Sequence, residues 1–178
     1  MNYVSNSKIA EWYGPPCKQP IVTIKLAGSN VHVNKKIKRL FLWQEIVFSL
    51  FPHLYKDLNE RHLDDWGGMC RPVTGNSGPV TVANASKHAW WIATDIDADE
   101  NVRGTNPLKS EIWLKGGDGK AVRLLEATGF TWGGRFSTPD PHHFEAAVPK
   151  RWVLARFNRR GKLRPWFSKQ LRKEGFDV

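Results

Sequence analysis

Between residues 34 and 51 the apolar side chains Ile37, Leu40, Phe41, Val47, Phe48 and Phe51 recur at helical spacing, while Lys36, Lys38, Arg39 and Glu45 fall on the other side. This pattern predicts an amphipathic helix stopped by Pro52, and such a helix needs an apolar layer to cover it. The other periodic stretches are shorter. Ile21-Val22-Thr23-Ile24 reads as a strand ended by Gly28-Ser29-Asn30. Further helices are expected over residues 55–64 and 120–127, the latter closed by Gly129. From Trp66 to Asp99, glycines and prolines give way to β-leaning residues, which predicts loops and strands. Helices and strands are segregated without a repeating βαβ pattern. The expected fold is therefore α+β, a small antiparallel sheet with flanking helices.

A chain of 178 residues suits one domain with a real core. Its nine Trp could fill that core or line a groove, and composition does not choose between them. The start, MNYVSNSKIAEWYGPP, lacks a basic segment followed by an apolar one, so a soluble product made in the cytoplasm without a signal peptide is expected. The most apolar stretch, residues 40–51, contains Gln44 and Glu45 and is too short to span a bilayer. Cys17 and Cys70 are too few for a disulfide framework and lack a CxxC partner, so both are expected to be ordinary thiols, with a single disulfide as the alternative. Charge is uneven. Residues 150–178 carry +8 of the total +10, which suits either a polyanionic partner or a solvated helical surface. No nucleic-acid motif accompanies that charge, and a nucleic-acid partner is not expected.

Metal and acid–base chemistry has one concentrated set of candidates. His88 is followed by Ala93-Thr94-Asp95-Ile96-Asp97, whose alternation puts Ala93, Asp95 and Asp97 on one strand face. On one helix His88 and Asp95 would stand about 10 Å apart along the axis. In one straight strand they would face opposite ways. They can share an ion only if the chain reverses between them, near Trp90-Trp91. Downstream, Asp140 precedes Pro141 and is pushed out of the helical region. His143 leads into Phe144 and Glu145, a strand that puts His143 and Glu145 on one face. A carboxylate three residues before a ligand His can hold water beside the metal. Asp97 is expected to be a supporting or surface residue, and His32, His53 and His62 surface or core histidines.

Ser86-Lys87-His88-Ala89-Trp90-Trp91-Ile92-Ala93-Thr94-Asp95 resembles the S-x-H-x-x-G-x-A-x-D signature of the D-Ala-D-Ala carboxypeptidase and L-alanyl-D-glutamate endopeptidase family, which includes vancomycin-resistance dipeptidases and phage endolysins. Asp140-Pro141-His142-His143-Phe144-Glu145 is similar to its second block, and Trp132-Gly133-Gly134 to the approach to that block. Cys70-Arg71-Pro72 is similar to the segment carrying the family's active-site Arg. The resemblance covers roughly residues 33–146. It implies a Hedgehog/D-Ala-D-Ala peptidase-like fold, with residues 1–149 as a zinc peptidase domain and 150–178 as a basic C-terminal extension rather than an independent domain.

By the same resemblance His88, Asp95 and His143 would coordinate Zn2+, Asp140 would be the catalytic acid/base where other members have Glu, and Arg71 would steady the substrate carbonyl. Ser86 would contact substrate, and His142 would be supporting or exposed; Trp91, where the sequence departs from the family, is a further candidate substrate contact. Glu145 is an alternative base or a hydrogen-bond partner of a ligand His. The sequence departs from the family at Trp91, where Gly is usual. Trp cannot easily take φ > 0, so the turn is expected either to use ordinary φ values or to be reshaped with Trp91 near the groove.

The implied activity is zinc-dependent cleavage of peptidoglycan stem peptides at the bacterial cell wall, by a monomeric enzyme of phage endolysin type. The basic extension would hold it on an anionic wall polymer or a membrane surface. The competing expectations are a D,D-carboxypeptidase or dipeptidase acting on wall precursors, and a non-catalytic zinc-bearing wall-binding or virion module.

Overall fold

The computed structural model describes residues 4–60, 67–73 and 75–178. Trp66, His62 and the last four residues of the helix expected at 55–64 lie outside those residues. Helix α1 (Asn6–Tyr13) is capped by Ser5, whose side chain accepts from the Lys8 amide. The hairpin β1 (Ile21–Leu26) and β2 (Ser29–Asn34) leads through a 3-10 turn into α2 (Lys38–Ser49). Pro52 does not merely end α2. It opens α3 (Pro52–Glu60), where a missing amide costs nothing. β3 (Ala93–Asp95) precedes α4 (Glu111–Lys115) and α5 (Lys120–Ala127). β4 (Thr131–Trp132) and β5 (His143–Glu145) follow, and α6 (Lys150–Arg156) and α7 (Pro165–Lys173) close the chain.

The fold is α+β, with two small antiparallel sheets. The second has the order β3-β5-β4, so β5 is central. Asp95 stands directly opposite His143 and Ala93 opposite Glu145. Directly opposed residues on an antiparallel pair project to the same face. One face of the sheet is thus chemical. The other carries Thr94 and Phe144, both fully buried, towards α2. There Gln44 Nε2 donates to Thr94 Oγ1 at 3.1 Å, which gives a buried polar group on each element a partner.

Helix α2 is the centre of the core. Ile37, Leu40, Phe41, Val47 and Phe48 are buried as their spacing predicts, and Trp43 and Gln44 are buried too. Trp43 Nε1 donates to Thr128 Oγ1 at 2.9 Å, joining α2 to the end of α5. The tryptophans divide in favour of packing. Trp43, Trp90 and Trp132 are buried, and none of the described ones lines the large cleft.

Residues 150–178 pack on this core rather than trailing from it. Val153, Phe157, Phe167 and Leu171 are buried, and the Phe157 ring meets Trp43 with centroids 6.1 Å apart.

The cysteine expectation is overturned. Cys17 and Cys70 form a disulfide with Cα atoms 5.3 Å apart. Their 53-residue separation conceals a tertiary contact, because the Cys17 amide donates to Ala89 O and the Met69 amide to His88 O. Both thiols are thereby brought beside the His88 turn.

Candidate active site

The required chain reversal is present. Ser86 Oγ accepts from the His88 amide at 3.3 Å and starts a single 3-10 turn, Lys87–Trp90. Trp91 ends it in the left-handed conformation, at φ 55° and ψ 37°. The expectation of ordinary φ values at Trp91 is therefore corrected, and Trp91 is not among the residues that line the cleft. The left-handed conformation costs a non-glycine residue about 1–2 kcal/mol. Surrounding contacts hold it in place. The Asn34 amide donates to Trp91 O at 2.7 Å, and Asn34 Nδ2 to Trp90 O at 3.0 Å. The Trp91 ring packs on Gly68, where a Cβ would lie 2.0 Å from Cδ1.

The turn and the β3–β5 pair bring three donors together. His88 Nε2 is 3.2 Å from His143 Nδ1 and 3.2 Å from Asp95 Oδ1, and His143 Nδ1 is 2.8 Å from Asp95 Oδ1. Donors arranged tetrahedrally around one zinc ion stand about 3.4 Å apart. The observed triangle has that size. Each imidazole is also oriented by its outer nitrogen. His88 Nδ1 lies 2.8 Å from the Gly67 carbonyl oxygen, and His143 Nε2 lies 3.5 Å from Glu145 Oε2. Oxygens that only accept place a proton on the facing nitrogen, so the inner nitrogens offer lone pairs. Two lone pairs and a carboxylate then converge on one point, which calls for a cation. His88, Asp95 and His143 fit zinc.

Without an ion, a proton shared with Asp95 stands in for it on His143. Burial, the largest influence, would lower the His143 pKa, but hydrogen bonds to Asp95 and Glu145 outweigh it and hold it up to about 10. Burial would likewise raise Asp95, yet His143 and His88 together keep it well below the usual carboxylate range. A pH dependence follows. A raised histidine contributes stability that is complete below 6.5 and lost as pH climbs to about 10. A depressed carboxylate contributes stability above 3.8 that is lost as pH falls. Thermal denaturation of chelator-treated protein should show the melting temperature falling on the alkaline side, by on the order of 5 °C.

The segment before β5 places the proposed base. Asp140 N donates to Gly133 O at 2.9 Å, and His143 N to Asp140 O at 3.0 Å. Gly133 permits this approach, since a Cβ there would lie 2.5 Å from Asp140 O and 2.9 Å from His143 Cβ. Trp132 Nε1 donates to Pro141 O at 2.7 Å and fixes the same turn. The Asp140 carboxylate lines a cleft of about 560 Å³ together with His88, His143, Arg71 and Ser86. His142 Nε2 lies 2.8 Å from Asp140 Oδ1, and its Nδ1 is 2.8 Å from Asn101 O. Burial would lower the His142 pKa, but Asp140 and then Asp95 outweigh it, so the pKa is raised.

Arg71 borders this cleft and a neighbouring smaller one. Its backbone carbonyl accepts from the Ser86 amide at 3.2 Å, next to the disulfide at Cys70. Ser86 is buried and caps the His88 turn while it lines the cleft. Asp97 is buried rather than on the surface, with its carbonyl accepting from Asn101 Nδ2 at 2.8 Å. It therefore supports the Asn101–His142 arrangement from behind.

Sequence reasoning passed over the Gly67 carbonyl and Arg103. Arg103 Nε stands 3.9 Å from Asp140 Oδ2 at the cleft rim. A backbone carbonyl leaves no signature in a sequence, and Arg103 lies in no recognisable motif.

Residues 81–146 match the family model described as D-alanyl-D-alanine carboxypeptidase. This segment, 66 of the 178 residues, is similar to that zinc peptidase family. The match contains all three candidate zinc ligands and Asp140, and it supports a metallopeptidase acting on cell-wall peptides. Arg71 and the disulfide lie upstream of the matched residues. No curated protein and no solved structure gives a significant match to the chain. Among the described residues, no helix of the chain is long and apolar enough to cross a membrane.

Proposed function

We propose that the chain is a zinc-dependent endopeptidase of endolysin type, which cuts peptide bonds in peptidoglycan stem peptides. The observation that carries this reading is the meeting of an inward-facing His-Asp-His triangle, whose two histidines line the cleft, with the Asp140 carboxylate and the Arg71 guanidinium on that same cleft. A structural zinc site closes all four positions with protein ligands, whereas three ligands leave one for substrate or water. Zinc held there supplies Lewis acidity and brings a water's pKa towards neutrality.

The residues of the chain do the rest. Asp140, held on the Gly133 turn, takes a proton from water and returns one to the departing amine. Arg71 stabilises negative charge as it develops on the scissile carbonyl oxygen. Ser86 holds the His88 turn in register, and the Gly67 carbonyl and Glu145 keep both imidazoles in the ligating tautomer. The cleft runs among Asn6, Val73, Phe136 and Thr138, and its size accommodates residues on both sides of a scissile bond.

The family description favours a second reading, a carboxypeptidase that removes a terminal D-Ala. Digestion of defined peptidoglycan fragments, with mass analysis of the products, separates the two. Internal stem fragments that vanish with chelator support the endopeptidase. Release of D-Ala alone would replace it with the carboxypeptidase, and no metal-dependent product would remove both.

A further inference from the structure

The C-terminal segment has two opposed sides. On α7, Phe167 and Leu171 turn into the core, while Lys169, Arg172 and Lys173 project from the opposite side of the helix. The turn before it presents Arg159, Arg160, Lys162 and Arg164, and α6 adds Lys150 and Arg151. Nine cations are exposed here. The tenth, Arg156, is spent internally, with its guanidinium 4.2 Å from the Trp152 ring centroid and 5.5 Å from that of Trp166. None of the ten forms an ion pair with a carboxylate among the described residues, although the rest of the surface pairs its lysines and arginines repeatedly. Helix-dipole complementarity accounts for Arg172 and Lys173 in the last turn of α7, but not for the turn or for the start of α6.

We propose that residues 150–178 form a docking surface for a phosphate-bearing polymer of the bacterial wall, and so hold the cleft near its substrate. This rests on the wall-peptidase reading above. Five of the nine exposed cations are arginines, whose planar fork matches phosphate oxygens bidentately. Insertion into a bilayer is disfavoured by the packing, because the apolar side of α7 is already committed to Phe157 and Trp152. What remains outside is charge, with Trp166 as the one exposed large aromatic of this segment. Such a surface suits a flexible chain of spaced anions that can follow the helix–turn–helix contour. Because the segment packs on α2 and on Gly129 at the end of α5, a captured polymer is tied rigidly to the catalytic unit.

The test is co-sedimentation of the full chain with purified walls, before and after removal of wall phosphate with hydrofluoric acid. Phosphate removal should weaken binding roughly tenfold or more, and raising salt from about 50 to about 300 mM should act in the same direction. The variant Arg159→Glu, Arg160→Glu, Lys162→Glu, Lys169→Glu brings the segment's net charge to zero. It should bind untreated walls at least about tenfold more weakly while cutting soluble stem peptides at the parental rate, since its benefit is local concentration alone. Circular dichroism and melting temperature establish that the variant is folded. Equal binding to phosphate-stripped walls, or undiminished binding by the folded variant, would overturn the proposal. So would binding to duplex DNA or phosphatidylglycerol vesicles as tight as to walls. If the parent chain leaves soluble stem peptides intact, the peptidase reading fails, while the sedimentation arms still decide the docking surface.

Discussion

Asp140→Asn should keep about one zinc per chain yet lose about 10²- to 10⁴-fold in hydrolysis, the usual worth of a positioned acid–base group. The amide has the shape of the carboxylate and remains on the Gly133 turn, but it cannot accept a proton at neutral pH. Because the Asp140 carboxylate is not among the three clustered donors, metal content should be indifferent to the change. Glu145 supplies the contrast. It is buried beside His143 Nε2, so Glu145→Gln should loosen zinc about 10- to 100-fold, as loss of an outer hydrogen-bond partner does. Atomic absorption and a kinetic assay on stem peptides read both. Parental activity in Asp140→Asn would transfer the role of base to Glu145.

His88→Ala should abolish both metal binding and hydrolysis. The substitution removes one corner of the donor triangle, and Asp95 and His143 alone leave an ion with two protein ligands. His88 is the cleanest ligand to remove. It projects from a single turn whose backbone is held by Ser86, Asn34 and the Met69 amide, none of which depends on the imidazole. His143→Ala would also strand the buried carboxylates of Asp95 and Glu145, and so would confuse loss of metal with loss of fold. The expected result for His88→Ala is a folded chain with near-zero zinc by atomic absorption and background turnover. Retention of one tightly bound zinc would show that the ion is held elsewhere.

The parts of the site that the sequence makes legible are those with local periodicity or fixed spacing. The α2 stripe, the hairpin strand at Ile21 and the helix at 120–127 are local patterns, and the structure shows all three. The demand for a reversal at Trp90-Trp91 comes from arithmetic on helix rise and strand alternation alone. What stays hidden depends on tertiary neighbours. Trp91 can be left-handed only because Asn34 and Gly68 hold and accommodate it, and these lie 57 and 23 positions away in sequence. The strand alternation that placed Asp97 on the face of Asp95 fails after β3 ends, where Asp97 turns to φ 51°. Cys17 and Cys70 read as unrelated because nothing in their flanking residues announces that both are pinned to the His88 turn. The charged segment is legible as charge, but its apolar anchors Phe157, Phe167 and Leu171 are recognised only once α2 lies beneath them.

The bond between Cys17 and Cys70 gives this molecule two mechanical states set by the redox poise around it. Under reducing conditions the bond is absent, and the strip bearing Arg71 is held by backbone links such as Ser86 N to Arg71 O, Met69 N to His88 O and Gly68 N to His32 O. Under oxidising conditions the closed 53-residue loop removes roughly 4 kcal/mol of freedom from the unfolded chain and ties the guanidinium's strip to the N-terminal segment. A preparation's history of thiol exposure would therefore set both how firmly it resists unfolding and how steadily Arg71 is presented to the cleft.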